Sequence, residues 1–199
     1  MKSSFLTMMF AILFATSGCA QAQNEQEPSW PETPATEENL PKVYFYKEIS
    51  SENLVKIYEA LGREVKGRVA VKLSTGEPGG HNFLQPALIK DLVQKVNGTI
   101  VECNTAYGGG RANTESHLKA AADHGFTAIA TVDIMDAEGE TELPVTGGKH
   151  LTRDIVGKNY LNYDFTIILS HFKGHAMGGF GGAIKNMSIG IASSNGKRL

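Results

Sequence analysis

The chain has 199 residues and a formal net charge of −2, and 41% of its residues are hydrophobic. This composition is typical of an ordinary globular domain of near-neutral charge. It argues against the strongly basic surface that a nucleic-acid-binding protein uses, so we expect no nucleic-acid partner.

The first 18 residues predict a secretory signal peptide. Lys2 is followed by an apolar run at residues 5–15 and then by small residues, a pattern too short for a confident membrane span. Two cleavage sites remain open, because residues 16–19, which end in Cys19, resemble a bacterial lipobox and residues 20–22 form an ordinary Ala-x-Ala site. Lipidation of Cys19 would anchor the chain to a membrane, so we expect either a cell-envelope lipoprotein or a periplasmic or secreted protein.

Residues 19–41 are polar and contain several prolines, which is typical of a tether. The remainder, residues 42–199, is long enough to bury one hydrophobic core. The sequence therefore predicts a signal peptide at residues 1–18, a tether at residues 19–41 and one folded domain at residues 42–199.

Hydrophobic periodicity in the folded domain alternates between strand-like and helix-like segments. The predicted strands lie at residues 42–46, 68–73, 99–103, 128–133 and 165–170. The predicted helices lie at residues 51–61, 86–97 and 114–122. Such alternation predicts an α/β fold, a single domain with a mainly parallel, doubly wound-like sheet and helices on its faces.

Polar loops follow the predicted strands. Ligands of open parallel sheets bind beyond the carboxyl ends of the strands, so these loops supply candidates for binding a small anionic ligand. The candidates are Glu77, His81, Arg111 and Asp133. The glycines beside them are also explained as turns, and Asp133 and Asp136 as helix caps or loop hydrogen-bonding groups.

The segment at residues 170–186 concentrates histidine, lysine and glycine behind the last predicted strand. His171 and His175 are four residues apart, the spacing of a metal pair on a helix, but Gly174 and the glycines from 178 onwards argue against a helix. Three hypotheses stay open: the histidines ligate a metal ion of unknown identity, they orient or hydrogen-bond a substrate or the backbone, or they are solvated or structural. Carboxylates at Glu77, Asp133 or Asp136 would complete a metal site.

The glycine-rich stretch at residues 178–186 matches neither the Walker pattern nor a dinucleotide fingerprint. One interpretation is a general anion site in which Lys173 and Lys185 supply positive charge. The alternative is a packing turn that leads into a last helix with a solvated Lys185.

Residues 42–197 resemble the DUF362 family, uncharacterised proteins of which some carry ferredoxin-type [4Fe–4S] segments. Lys173-Gly-His175 and the run from Gly181 and Gly182 to Lys185 and Asn186 carry the resemblance, together with the loops that begin at Ser74 and Glu102. The resemblance implies that the motif residues bind a ligand and that a redox partner is involved.

Two departures limit what the resemblance implies. Cys19 and Cys103 are the only cysteines, so an iron–sulfur cluster is not supported by this chain's own cysteines. Members of the family usually continue beyond the glycine-rich motif, whereas this chain stops at Leu199, so a missing C-terminal half is an open alternative.

The spacing from His175 across the glycines to Lys185 is also similar to an arrangement in nickel-pincer lactate racemases. That similarity implies a cofactor-binding Lys185 and a basic His175. Three hypotheses follow for the domain. In the first, it binds a small anion or a metal, and one version makes it part of a redox system. In the second, it is an enzyme that moves a proton or hydride on a small hydroxy acid, with His175 as base and Lys173 or Lys185 as electrostatic stabiliser. In the third, it is an inactive fragment.

Overall fold

The computed structural model of the protein describes residues 40–199. The predicted signal peptide, the lipobox with Cys19 and nearly all of the predicted tether lie outside the described residues. Residues 43–199 group into one unit.

Residues 40–199 form four α-helices and eight β-strands, with short 3-10 helices between some of them. The helices are α1 (Ser51–Ala60), α2 (Pro86–Lys95), α3 (Thr114–Asp123) and α4 (Ala183–Ile191). The strands are β1 (Val69–Lys72), β2 (Gly98–Glu102), β3 (Val132–Ile134), β4 (Glu140–Pro144), β5 (Arg153–Gly157), β6 (Phe165–Ile168), β7 (Lys173–His175) and β8 (Gly179–Gly181).

The central sheet contains four parallel strands in the order β3-β2-β1-β6. All four residues of β1 are buried, as suits a central strand that is covered on both faces. Two antiparallel hairpins, β4–β5 and β7–β8, lie outside this sheet. The predicted α/β fold with a parallel sheet is therefore confirmed.

Alternating residues of β1 face two different hydrophobic cores. Val69 and Val71 belong to the core that α2 completes with Ile89, Leu92 and Val93. Ala70 belongs to the second core, on the face that is covered by α4 and the β4–β5 hairpin. The sheet therefore has apolar layers on both sides, and its polar groups collect at the strand ends.

Local sequence signals set the helix starts. The side chains of Ser50 and Asn113 each accept a hydrogen bond from a backbone N–H of the first turn, in α1 and α3 respectively. Pro86 occupies the first turn of α2, where its missing N–H and fixed φ do no harm. Each of these residue types is a local sequence signal for a helix start.

Two predicted strands differ from the structure. Residues 42–46 form no strand, and Val43 and Phe45 are 90% and 84% exposed, because no neighbouring strand pairs with them. The strand predicted at residues 128–133 is shorter, since a 3-10 helix at Phe126–Ala128 precedes it and β3 begins at Val132. The left-handed Gly125 at φ 87° redirects the chain there.

Two hairpins were not predicted. Strand β4 alternates exposed and half-buried residues, the pattern of a hairpin with one solvated face. Strands β7 and β8 are only three residues each and are rich in glycine, so they carry little strand signal. The second hairpin confirms the argument from Gly174 against a helix between His171 and His175.

Within residues 40–199, no helix is both long enough and apolar enough to cross a bilayer.

Gly157 provides a test of the packing between β5 and the loop after β3. A Cβ atom at this position would lie 2.5 Å from the carbonyl carbon of Met135 and 2.7 Å from the backbone nitrogen of Asp136. Backbone atoms yield little, so we expect Gly157→Ala to lower the free energy of unfolding by about 1–3 kcal/mol in urea denaturation. Gly108→Ala, at a position with nothing within 4 Å of the added Cβ, should change it by less than about 0.5 kcal/mol. Equal effects would contradict this packing.

Candidate functional site

A buried ion pair joins the carboxyl ends of the two central strands. Lys72 ends β1 and Glu102 ends β2, and they are 1% and 4% exposed. The Lys72 Nζ atom donates to Glu102 Oε2 at 3.0 Å and to the carbonyl oxygen of Leu73 at 2.7 Å. Burial of two charges is costly unless both are fully paired, so the neighbours of this pair matter for stability.

Glu102 has further partners on its other oxygen, and we call Lys72, Thr75, Glu102, Arg111 and His117 the Glu102 cluster. The backbone N–H of Thr75 donates to Glu102 Oε1 at 2.8 Å, and Arg111 Nη1 donates to the same atom at 3.3 Å. His117, which is fully buried in α3, places Nε2 3.8 Å from this oxygen. One carboxylate thus gathers groups from two loops and a helix.

The buried carboxyl of Glu102 stays ionised. Burial alone would raise its pKa, but the charge of Lys72, the nearby imidazole of His117 and the charge of Arg111 outweigh burial and hold the pKa well below its usual range. The ionised carboxylate is therefore favoured by folding.

Arg111 connects this cluster to the solvent-facing loop after β1. Its Nη2 group pairs with the Oε1 atom of Glu77, which also accepts a hydrogen bond from Tyr107 Oη at 3.0 Å. The hydrogen bond from Arg111 lowers the pKa of Glu77 despite its partial burial. Arg111 Nε is buried and has no hydrogen-bond partner within residues 40–199, which leaves one donor available.

Asn186 ties α4 to the strand ends. Its Oδ1 accepts from Lys72 Nζ at 2.9 Å, and its Nδ2 donates to the carbonyl oxygens of Lys72 and Leu169 and to Ser170 Oγ, at 3.0–3.2 Å. Gly190 lies one turn further along α4, and a Cβ there would lie 2.9 Å from Lys72 Nζ. The family motif residue Asn186 therefore holds together β1, β6 and α4.

The β7–β8 hairpin presents Lys173 and His175 on one face, because residues two apart in a strand point to the same side. His175 Nδ1 accepts hydrogen bonds from the backbone N–H groups of Met177 and Gly178, at 3.3 and 3.0 Å. A neutral His175 therefore carries its proton on Nε2. Desolvation and the charges of Lys185 and Lys173 lower the pKa of His175, so the neutral form is favoured.

Lys185 lies in the first turn of α4 near three other cations. Partial burial and the charges of Lys173, Lys72 and Arg111 lower the pKa of its ammonium group. Within residues 40–199, no carboxylate lies within 4.0 Å of the ammonium groups of Lys173 or Lys185. The positive charge of these two lysines is therefore not neutralised by an ion pair from this part of the chain.

The structure brings together only some of the candidates from the sequence. Arg111 and Glu77 form an ion pair, and the charges of Lys173 and Arg111 both act on Lys185 at the carboxyl edge of the sheet. Gly181 and Gly182 are buried between the β7–β8 hairpin and α4. His171 is exposed and places Nδ1 3.3 Å from the carbonyl oxygen of Asn82, beside the exposed His81.

The aspartates take other roles. Asp133 lies within β3 and accepts hydrogen bonds from Tyr163 Oη at 2.8 Å and Asn159 Nδ2 at 3.1 Å. Asp136 accepts from the backbone nitrogens of Asn104 and Ser194, so it is a loop hydrogen-bonding group. Neither aspartate contacts the Glu102 cluster through these bonds.

The side chains that could ligate a metal are dispersed. Among the residues that the structure describes, no group of three or more histidine, cysteine, aspartate or glutamate side chains is arranged to hold a metal ion. Cys103 is buried, and burial raises the pKa of its thiol to about 12. A protonated, buried thiol does not suit an iron–sulfur cluster.

Sequence reasoning missed the centre of the site. Lys72 was considered part of a strand, Glu102 the start of a loop, and His117 an unremarked helix residue. A usable signal was present, because a lysine within the apolar run at residues 69–73 and a glutamate directly after residues 99–101 cannot be buried without each other. The helical position of His117 carries no such signal.

A cavity of about 800 Å³ lies elsewhere. It is open to solvent and is lined by residues at the starts of β1 and β2 and along β3, among them Arg68, Gly98 and Asp133. Arg68 and Gly98 lie at the opposite ends of β1 and β2 from Lys72 and Glu102. We place the candidate site at the carboxyl edge because the buried charges and the unpaired donor are there, and volume alone supplies no chemistry.

Comparison with known proteins gives one match. The family model described as a domain of unknown function, DUF362, matches residues 69–199, which include the Glu102 cluster, both hairpins and α4. No curated protein and no solved structure matches the chain.

Replacement of the central carboxylate tests the cluster. Glu102→Gln would leave the buried Lys72 ammonium without its counter-charge, so we expect a loss of about 3–5 kcal/mol in the free energy of unfolding. Glu59→Gln makes the same chemical change in an exposed ion pair with Lys95, and it should cost at most about 1 kcal/mol. Urea denaturation at neutral pH measures both variants, and equal costs would contradict a buried pair.

Acid should weaken the same cluster. Because folding lowers the pKa of Glu102, its stabilisation is complete above the unfolded-state pKa of about 4.3 and is lost as the pH falls from there towards the folded-state pKa. The free energy of unfolding of the wild type should therefore fall more steeply below about pH 4.3 than that of Glu102→Gln. Parallel curves from urea denaturation across this range would contradict the lowered pKa.

Proposed function

The chain belongs to the DUF362 family, and from that premise we propose that its folded domain binds a small anionic ligand at the carboxyl edge of the sheet. One observation carries the proposal. Partial burial and the charges of Lys173, Lys72 and Arg111 lower the pKa of the Lys185 ammonium group, and within residues 40–199 neither Lys173 nor Lys185 has a carboxylate partner.

The charge balance of the site supports an anion. The charges of three cations, Lys72, Arg111 and Lys173, act on a fourth, Lys185, while Glu77 and Glu102 supply two negative charges. The cations thus exceed the carboxylates by two. Partial burial and the repulsion from these cations both lower the pKa of Lys185, and a ligand with one or two negative charges would relieve the repulsion.

Uncharged donors support the same ligand class. The N-cap of α4 is Gly182, which has no side chain to bond the first-turn N–H groups, and these groups are the ordinary donors to anions at a helix start. Arg111 Nε is a further buried donor without a partner in the described residues. The site therefore offers directed hydrogen bonds as well as charge, which suits a carboxylate or a phosphate group.

The state of His175 favours binding over proton abstraction. Since backbone N–H groups occupy Nδ1, the neutral ring offers Nε2 as a hydrogen-bond donor. A general base needs an available lone pair, which this tautomer lacks at Nε2. We therefore assign His175 the role of a neutral donor to the ligand.

Proton or hydride transfer on a small hydroxy acid is a second candidate function. One observation favours it, namely the lowered pKa of Lys185, which increases the fraction of neutral, nucleophilic amine available to hold a cofactor. Incorporation of solvent deuterium into a panel of 2-hydroxy acids, dependent on Lys185, would support this candidate. Absence of exchange with every acid would leave ligand binding as the function.

Export and membrane attachment through a lipidated Cys19 remain predictions from residues 1–19, as does the involvement of a redox partner. Each is compatible with an anion-binding domain, and neither is needed for the site described here.

Loss of the lysine charge should weaken the binding of anions. We expect Lys185→Gln to lower the affinity for inorganic phosphate and for malonate by at least about tenfold, because an ammonium in this setting contributes a charge-assisted hydrogen bond. Isothermal titration calorimetry at low ionic strength measures both probes, and added salt should weaken binding.

Lys90→Gln is the matched control, since Lys90 is an exposed lysine on α2 and takes no part in the Glu102 cluster. It should bind both probes as the wild type does. If the wild type binds neither probe, or if both variants bind equally well, the proposed site is wrong.

The lowered pKa of Lys185 sets the alkaline limit of binding. The Lys185 ammonium loses its proton at a lower pH than an ordinary lysine, so phosphate affinity should decline as the pH rises towards the usual lysine range of about 10.4. The decline should be absent from the residual binding of Lys185→Gln. An alkaline decline of the same size in that variant would assign the titration to another group.

A further inference from the structure

Within residues 40–199 the central sheet has two edges without a further strand, and they differ in how they are protected. Strand β3 is three residues long and contains Asp133, whose carboxylate accepts hydrogen bonds from Tyr163 and Asn159. Short strands and charged residues are the usual protection of a sheet edge. Strand β6 has the sequence Phe-Thr-Ile-Ile, without charge or proline, and among the described strands it pairs only with β1.

The free edge of β6 carries unused backbone groups. The N–H groups of Phe165 and Leu169 donate to carbonyl oxygens of the neighbouring segment, at Arg68 and Lys72. Because backbone groups alternate in direction along a strand, those of Thr166 and Ile168 point away from β1. No hydrogen bond within residues 40–199 occupies them on that side. The outward backbone groups of Thr166 and Ile168 are therefore two N–H donors and two C=O acceptors along an apolar strand.

We propose that this edge pairs with the same edge of a second copy of the chain, so that two four-stranded sheets join into one of eight strands. A two-fold axis at Ile167 would set Thr166 of one copy opposite Ile168 of the other. Each such pair exchanges two hydrogen bonds in an antiparallel arrangement. The four hydrogen bonds use all the outward groups of Thr166 and Ile168, so the edge is complementary to itself.

Charge and apolar surface support a second copy as the partner. Antiparallel pairing places Asp164, just before β6, beside residue 170 of the other copy. That residue is Ser170, which precedes the exposed His171. Residues 165–199 contain no aspartate or glutamate, so no acidic side chain of this segment opposes the Asp164 carboxylate. Helix α4 packs beside β6 and exposes Ile184 and Met187, so apolar surface is available next to the edge.

The position of the axis gives a sharp test by disulfide cross-linking. Ile167 would face its own copy in a pair without hydrogen bonds, where Cβ atoms are about 4.5–5.5 Å apart, close to disulfide geometry. Thr166 would be diagonal to its own copy, at about 7–8 Å. In full-length protein carrying Cys19→Ser, Ile167→Cys should form at least about fivefold more cross-linked dimer than Thr166→Cys under mild oxidation.

The matched pair of variants makes the outcome independent of other contacts. Both contain the same N-terminal segment and the same buried Cys103, so association by another route would cross-link them alike. Preferential cross-linking of Ile167→Cys supports the paired edges. Equal cross-linking of the two variants, or none in either, overturns the proposal, as would occur if a different polypeptide or a membrane covers this edge.

A second experiment removes hydrogen bonds between the two β6 strands. Thr166→Pro deletes an outward N–H that β1 does not use, so it should reduce cross-linking of Ile167→Cys to the level of Thr166→Cys. Val132→Pro is the control on the other edge, where the Val132 N–H points away from β2 by the same alternation, and it should leave cross-linking unchanged. Circular dichroism establishes that each variant is folded. Undiminished cross-linking in a folded Thr166→Pro variant would overturn the proposal.

Discussion

The buried pair between Lys72 and Glu102 is the interaction on which the described domain depends. Two charges removed from water at the ends of adjacent strands must each find several partners. That requirement explains why the loop at Thr75, the loop with Arg111 and the helix with His117 converge on one carboxylate. The parallel sheet supplies the geometry, and the charges determine which loops meet there.

The glycine-rich motif acquires a structural meaning from the same pair. Asn186 accepts a hydrogen bond from Lys72 Nζ and donates to three acceptors, so the first turn of α4 has a defined position over β1 and β6. This position brings Lys185 towards the cations of the cluster and leaves an uncapped helix start beside them. Structural and proposed functional roles thus belong to neighbouring residues, Asn186 for architecture and Lys185 for the ligand.

Much of the fold was predictable because it follows from periodicity and caps. The apolar residues of β1 and β2, the caps at Ser50 and Asn113 and the proline of α2 are local signals. The strand predicted at residues 42–46 was wrong because strand propensity says nothing about whether a partner strand is available. The site was only partly predictable for a similar reason. Arg111 and Lys185 were candidates because they lie in a polar loop and in the glycine-rich motif. The contacts among Lys72, Glu102 and His117 join residues far apart in the chain, which local patterns do not reveal.

Gly190 has a consequence that extends beyond packing. With no side chain at this position, the Lys72 ammonium lies between β2 and the body of α4, bonded to Glu102 on one side and Asn186 on the other. A shift of α4 by even an ångström would lengthen the bond to Asn186 beyond hydrogen-bonding range and redistribute the ammonium's bonding towards the carboxylate. The position of the helix and the electrostatic balance at the strand ends are therefore mechanically coupled. A ligand that moves the start of α4 would change the hydrogen bonds of the buried Lys72 ammonium.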